Sequence, residues 1–309
     1  MLKLLENPAA LAAHHRPVCA AIGVFDGVHL GHRQVLQQTL DEAGQREGIP
    51  IAITFDVHPA KILFPERAPR MIYPLEKKLA LLEALGFEHA LLIRFTPEFS
   101  RIEAGDFIRD LANGFKPLSG ICVGSGFTFG RRRSGNVELL HRLGSELSFT
   151  VSDLAAVALD AERVSSTRIR KAVAEGRLGD ASQMLGRSYT LGGSVIHGDQ
   201  LGRQLGFPTA NLDVTDLVIP PPGVYAAHAL HARGNHRAAV NIGMRPTLSN
   251  PNPCLHVEAH LTGFDGDLYG QSLELQFVRR LRSEMKFPNL NALKEQIAKD
   301  VALVRGGFD

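Results

Sequence analysis

The chain changes rhythm once, and that change limits what it can fold into more than any other feature. Up to about residue 185, apolar runs of strand length alternate with segments whose apolar residues recur at helical spacing. Residues 18–25 read as a buried strand, and Val35, Leu36, Leu40 and Ala43 then share one helical face. Strand-like runs at 51–55, 89–95 and 120–123 are separated by helix-like segments near 75–85 and 104–111. This βαβα order implies a parallel sheet covered by helices. Beyond Gly186 the runs at 189–195, 224–231, 237–242, 255–261 and 273–281 follow one another without helices. Arg233-Gly234-Asn235 and Asp265-Gly266 are hairpin-type turns, and Leu273, Leu275 and Phe277 define one apolar face. A last helix from Leu290 places Leu293, Ile297, Val301 and Val304 together. The expectation is an α/β protein with two domains, 1–185 built on a parallel sheet and 186–309 on an antiparallel β-barrel with a C-terminal helix.

Composition removes several alternatives. Lys plus Arg number 34 and Asp plus Glu 32, leaving a formal net charge of +2 and no basic field for gripping nucleic acid. Trp is absent, which argues against a stacking surface for bases. The rival reading as an RNA-binding protein draws on the fold of the first domain and on Arg131-Arg132-Arg133, a run too short to line a groove. Cys19, Cys122 and Cys254 are distant and odd in number, matching neither a disulfide framework nor zinc spacing. Acidic, amide and proline residues interrupt the N-terminus, and no apolar run approaches the ~18 residues of a membrane span. A cytoplasmic protein with small-molecule partners is expected, and the oligomeric state is left open.

The segment Gly23-Val24-Phe25-Asp26-Gly27-Val28-His29-Leu30-Gly31-His32 lies where a strand ends and a helix begins. Glycines let backbone amides approach an anion, and the helix N-terminus adds favourable partial charge. His29 and His32, three residues apart, can face one phosphate. This stretch resembles the HxGH signature of the nucleotidylyltransferases, in the form seen in bacterial FAD synthetases. Thr54-Phe55-Asp56-Val57-His58-Pro59 is similar to that family's second loop, with Val57 where proline is usual. Val123 to Gly130 resembles its flavin-side segment, and Ser165-Ser166-Thr167-Arg168-Ile169-Arg170 its second phosphate motif. Gly126 departs from the Asp or Asn that many relatives carry there. The resemblance implies a nucleotide site at Gly23, Phe25, Asp26, Gly27, His29, His32, Ser166, Thr167 and Arg170. His58, Phe127 and Phe129 would lie on the flavin side.

In the second domain Gly193, Gly198, Gly202 and Gly206 precede Pro208-Thr209-Ala210-Asn211. A hydroxyl and an amide two residues apart on an extended chain point the same way and can hold Mg²⁺ against ATP phosphates. The whole stretch resembles the riboflavin kinase signature. Its downstream partners are Asn241 to Thr247, Val257-Glu258-Ala259-His260-Leu261 with the 264–270 turn, and Leu281 to Phe287 carrying a flavin-side Arg282. Taken alone, His256, Glu258 and His260 alternate with apolar residues and could face water. The resemblance instead makes Glu258 the general base. A bifunctional riboflavin kinase and FAD synthetase is implied, using ATP, riboflavin, FMN and Mg²⁺ and producing FAD. The alternative is a kinase whose N-terminal domain only binds flavin or nucleotide, motivated by Gly126.

Overall fold

The computed structural model describes residues 1–247 and 250–307, without the side chains of 12–14 and 245–254, so Cys254 and residues 245–247 of the Asn241 to Thr247 segment lie outside the described side chains. Contacts divide the chain into two compact units, Met1–Ser166 and Thr167–Asp309.

The first unit is a six-stranded parallel sheet of β1 (Lys3–Leu5), β2 (Val18–Ile22), β3 (Ile49–Phe55), β4 (His89–Ile93), β5 (Leu118–Gly124) and β6 (Thr150–Leu154). The order is β1-β4-β3-β2-β5-β6, and every neighbouring pair is parallel. All five residues of β2 are buried, as a central strand covered on both faces requires. Its alternation splits the core. Ala20 and Ile22 face α4 (Ala104–Gly114) and α5 (Val137–Leu147), while Ala21 faces α1 (Leu30–Gln45) and α3 (Leu75–Ala84). β3 and β5 lie on opposite sides of β2, so the strand order reverses there. In open α/β sheets the crevice at the carboxyl end of that reversal binds ligands.

The second unit is a closed antiparallel barrel. It is made of β9 (Thr190–Ile196), β10 (Ala210–Leu212), β11 (Gly223–His231), β12 (Gly234–Thr247), β13 (Asn250–Leu261) and β14 (Ser272–Arg282). They close in the order β10-β13-β12-β11-β14-β9, leaving no edge. Leu191, Val240, Ile242, Val257, Ala259, Leu273 and Leu275 are buried within it. The closing helix α9 (Leu290–Arg305) packs on β12, with Val301 and Val304 buried.

Five short strands escaped sequence reading: β1, β6, β10 and the two-residue β7 (Ala158–Leu159) and β8 (Glu162–Arg163). The predicted strand at 18–25 ends at Ile22, because Phe25 and Val28 take positive φ (51° and 40°) and leave the sheet. The glycine-rich stretch of the second unit is only partly a loop. Gly193 lies inside β9, where a Cβ would run into the Asp213 carbonyl. A one-turn helix at Leu201–Gln204 interrupts the remainder.

Candidate active sites

The first site grows from the end of β2. Gly23 donates its N–H to the Ile53 carbonyl (3.1 Å), and a Cβ there would meet the Phe25 ring at 2.8 Å. Gly27 sits at φ 81°, a conformation that glycine adopts without strain. His29 is the N-cap of α1, its Nδ1 accepting from the His32 backbone N–H (3.3 Å). The His29 and His32 rings stack, with centroids 3.6 Å apart and planes 18° from parallel. Phe25 presses edge-on against His32 at 5.4 Å. The sequence therefore does bring both rings to one side of the helix start, beside its outward-pointing N–H groups.

Asp26 is not on the surface of this loop. It is 2% exposed and its carboxylate accepts from the Ile72 N–H (3.0 Å). That bond shapes the loop from below. Ser166 Oγ donates to the Asp26 carbonyl (3.1 Å), which brings the start of the SSTRIR segment against the same loop. Thr167 and Arg170 lie on the helix α6 (Ser166–Ala174), within the second unit.

The second loop follows β3. His58 caps α2 (Pro59–Leu63), its Nδ1 accepting from Ala60 N–H (3.1 Å). Asp56 Oδ1 accepts from the N–H groups of Val57 (2.8 Å) and Phe95 (2.9 Å). Phe127 and Phe129 stack at 5.2 Å and end a row of rings running through Phe107, Phe99 and Phe95 to Phe55. Sequence reading missed most of that row, since the residues come from four separate segments. A cavity of about 670 Å³ opens along it, lined by Asp56, Arg94, Phe99, Phe107 and Leu111 among others. A Cβ at Gly126 would stand 3.2 Å from the Arg163 guanidinium.

In the barrel, Glu258 on β13 is 8% exposed. The register sets it opposite Asn211 of β10 on one side and Asn241 of β12 on the other. These three polar side chains form one row across the outer face of the barrel, since Val257 and Ala259 point into the core. Gly198 packs so closely that a Cβ would collide with the Asn211 amide. At Gly202 a Cβ would come within 3.2 Å of Thr209 Oγ1. Gly206 holds φ 89° just before Phe207-Pro208. A cavity of about 520 Å³ lies beside this segment, with Arg203, Pro208, Thr209, Asp265, Asp267 and Tyr269 in its wall.

One residue here exceeds the sequence reading, and another has a partner that it did not give. His260, 8% exposed, has its Nδ1 2.8 Å from the Pro208 carbonyl, tying the strand of Glu258 to the chain that carries Thr209. Burial pushes its imidazole below its usual pKa, favouring the neutral ring that donates from Nδ1. Its position two residues from Glu258 on the same strand face was the available signal. Arg282 grips Asp300 of α9 through Nε (3.0 Å) and Nη2 (2.8 Å), and its guanidinium lies 5.8 Å from the Phe287 ring centroid.

Thr209 and Asn211 offer only a hydroxyl and an amide oxygen, hard donors that suit Mg²⁺ sharing its shell with phosphate oxygens and water. Among the described residues no cluster of His, Cys, Asp or Glu could hold a metal ion by itself. Cys19 and Cys122 are buried free thiols, the latter pushed up to about 12 by desolvation. No helix among the described residues is long and apolar enough to cross a membrane.

Comparison with known proteins finds matches in two segments. Residues 11–168 match the FAD synthetase family profile, and residues 185–308 match the riboflavin kinase profile. The bifunctional riboflavin kinase/FMN adenylyltransferase of Escherichia coli (strain K12) is 36% identical, over 99% of this chain and 98% of that one. The protein of the same name from Haemophilus influenzae is also 36% identical, over 94% of both chains. A solved structure from Streptococcus pneumoniae, titled as a macrolide-efflux protein, superposes with a TM-score of 0.82. It is 25% identical and covered over 99% of both chains.

Proposed function

The chain belongs to the bifunctional riboflavin kinase/FMN adenylyltransferase family, and on that premise we propose how its residues divide the two reactions. It phosphorylates riboflavin to FMN with ATP and then adenylylates FMN to FAD, releasing pyrophosphate. The kinase reading is carried by one observation: Glu258 is buried and held in register between Asn211 and Asn241. Glu258 takes the proton of the riboflavin 5′-hydroxyl, whose oxygen attacks the γ-phosphorus of ATP as ADP leaves. Thr209 and Asn211 hold Mg²⁺, which when bound neutralises phosphate charge. Gly193, Gly198, Gly202, Gly206 and Pro208 shape the chain that covers the nucleotide. Arg282, engaged by Asp300 and by the Ser283 carbonyl, serves the flavin side by anchoring the loop that follows β14.

In the first unit, His29 and His32 stabilise charge on the α-phosphate and the departing pyrophosphate while a phosphate oxygen of FMN attacks. Gly23, Phe25, Asp26 and Gly27 form the loop that presents them. Ser166, Thr167 and Arg170 grip the far end of the triphosphate. His58, Phe127 and Phe129 lie on the flavin side, continued by the row of phenylalanine rings. The boundary between the two domains lies near residue 185 in this reading, which the start of the second family match supports. Small molecules are the partners, in keeping with a near-neutral chain, and the two buried thiols suit a reducing cytoplasm. Replacing Glu258 by Gln should lower FMN formation by roughly 10²–10⁴-fold. Chromatography of the flavin products should show FMN adenylylation unchanged. FMN formation at the native rate would remove Glu258 from the role of base.

A further inference from the structure

Lys78 sits on the buried stripe of α3, with Leu82 one turn later. It is 3% exposed. Its ammonium lies 2.7 Å from the Phe55 carbonyl, 3.1 Å from Thr54 Oγ1 and 3.4 Å from the Val24 carbonyl. An ammonium has three donors and no acceptor, so these three oxygens match its capacity. Thr54 passes the contact on, donating its own proton to the Val24 carbonyl (3.0 Å). Val24 belongs to the loop that presents His29 and His32, and Phe55 ends β3 just before the loop that leads to His58. One buried cation therefore joins the two loops from beneath, at the reversal of strand order. The carboxylates of Asp26 and Asp56, one from each loop, are the charges that act on it.

We propose that Lys78 is a positioning residue for adenylyl transfer: its ammonium sets the separation of the nucleotide-side loop from the flavin-side loop. The inference rests on the assignment of those loops to ATP and FMN. In-line attack needs the FMN phosphate oxygen and the α-phosphorus within ~3.5 Å, and a displacement of ~1 Å costs about 10²-fold. A cation buried under both loops meets that demand without touching either substrate. Burial lowers its pKa to about 8, so a mildly alkaline solution removes one of the three donors. The lone pair left behind faces oxygen, and the joint loosens.

The test uses the full-length chain, assayed for FMN adenylylation and for riboflavin phosphorylation. Lys78→Met should lower adenylylation kcat by roughly 10²-fold, with KM for ATP changed little and phosphorylation at the native rate. Lys78→Arg should restore most of the loss. The native enzyme should lose adenylylation with an inflection near pH 8, and Lys78→Arg, charged at every accessible pH, should move that inflection out of range. Thr54→Val keeps volume and charge but breaks the relay, so it should show an intermediate loss and decides the matter if Lys78→Met does not fold. Native adenylylation kinetics in Lys78→Met or in Thr54→Val overturn the proposal. So does an alkaline profile that is the same with Arg at 78. His29→Ala is assayed alongside: if it adenylylates FMN at the native rate, the site assignment fails, whatever Lys78 does.

Discussion

A lysine with almost no exposure is costly to bury, and the position of Lys78 gives that cost a measurable sign. Its pKa of about 8 in the folded chain lies below the ~10.4 of an unfolded lysine. Below pH 8 both states are charged and the folded chain carries the full desolvation cost. Between the two values the unfolded chain binds more protons, so this position contributes more to stability as pH rises. The melting temperature of the native protein relative to Lys78→Met should therefore increase from pH 7.5 to 9.5, while native adenylylation falls. A difference that shrinks over that interval would contradict the assigned charge. The sequence carried a trace of this, since Lys78 interrupts the stripe of Leu75, Leu79 and Leu82. Periodicity cannot tell a buried lysine from one whose stem lies along the surface.

Among the elements, those that carry the proposed site residues were the most legible and those that hold each other the least. β2 and the helix after it could be read because an apolar run and a histidine-rich cap adjoin. β10 has three residues, too few to show alternation, yet it carries Asn211 to Glu258. The row of phenylalanine rings was illegible because its members converge only after the sheet forms. Two predictions belong here. Gly198→Ala should depress riboflavin phosphorylation and spare FMN adenylylation, since the added methyl runs into the Asn211 amide. Native phosphorylation by that variant would show that the loop moves away at no cost. Asp300→Ala strips Arg282 of a nearly buried partner (side chains 6% and 18% exposed). It should cost about 3 kcal/mol of stability in denaturant unfolding, the lower end for breaking such a pair. A loss below ~1 kcal/mol would mark the pair as solvent-screened.

The sequence changes rhythm near residue 186, and the two family matches, 11–168 and 185–308, lie on either side of it. The compact units part nineteen residues earlier, after Ser166, because α6 and α7 (Leu178–Leu185) count with the barrel. Ser182 Oγ accepts from the Tyr189 N–H (2.9 Å), and Gly176 lies against Pro221. A fragment beginning at residue 186 should keep kinase activity but melt below one beginning at 167; equal melting would mean that these helices add nothing to the barrel. The central claim is two independent sites in one chain, and mixing two variants tests it most directly. Given riboflavin and Mg-ATP, Glu258→Gln should leave riboflavin unchanged. His29→Ala should stop at FMN. Together they should produce FAD, and Glu258→Gln alone should convert added FMN. A single substitution that abolishes both conversions in a folded chain would contradict the account.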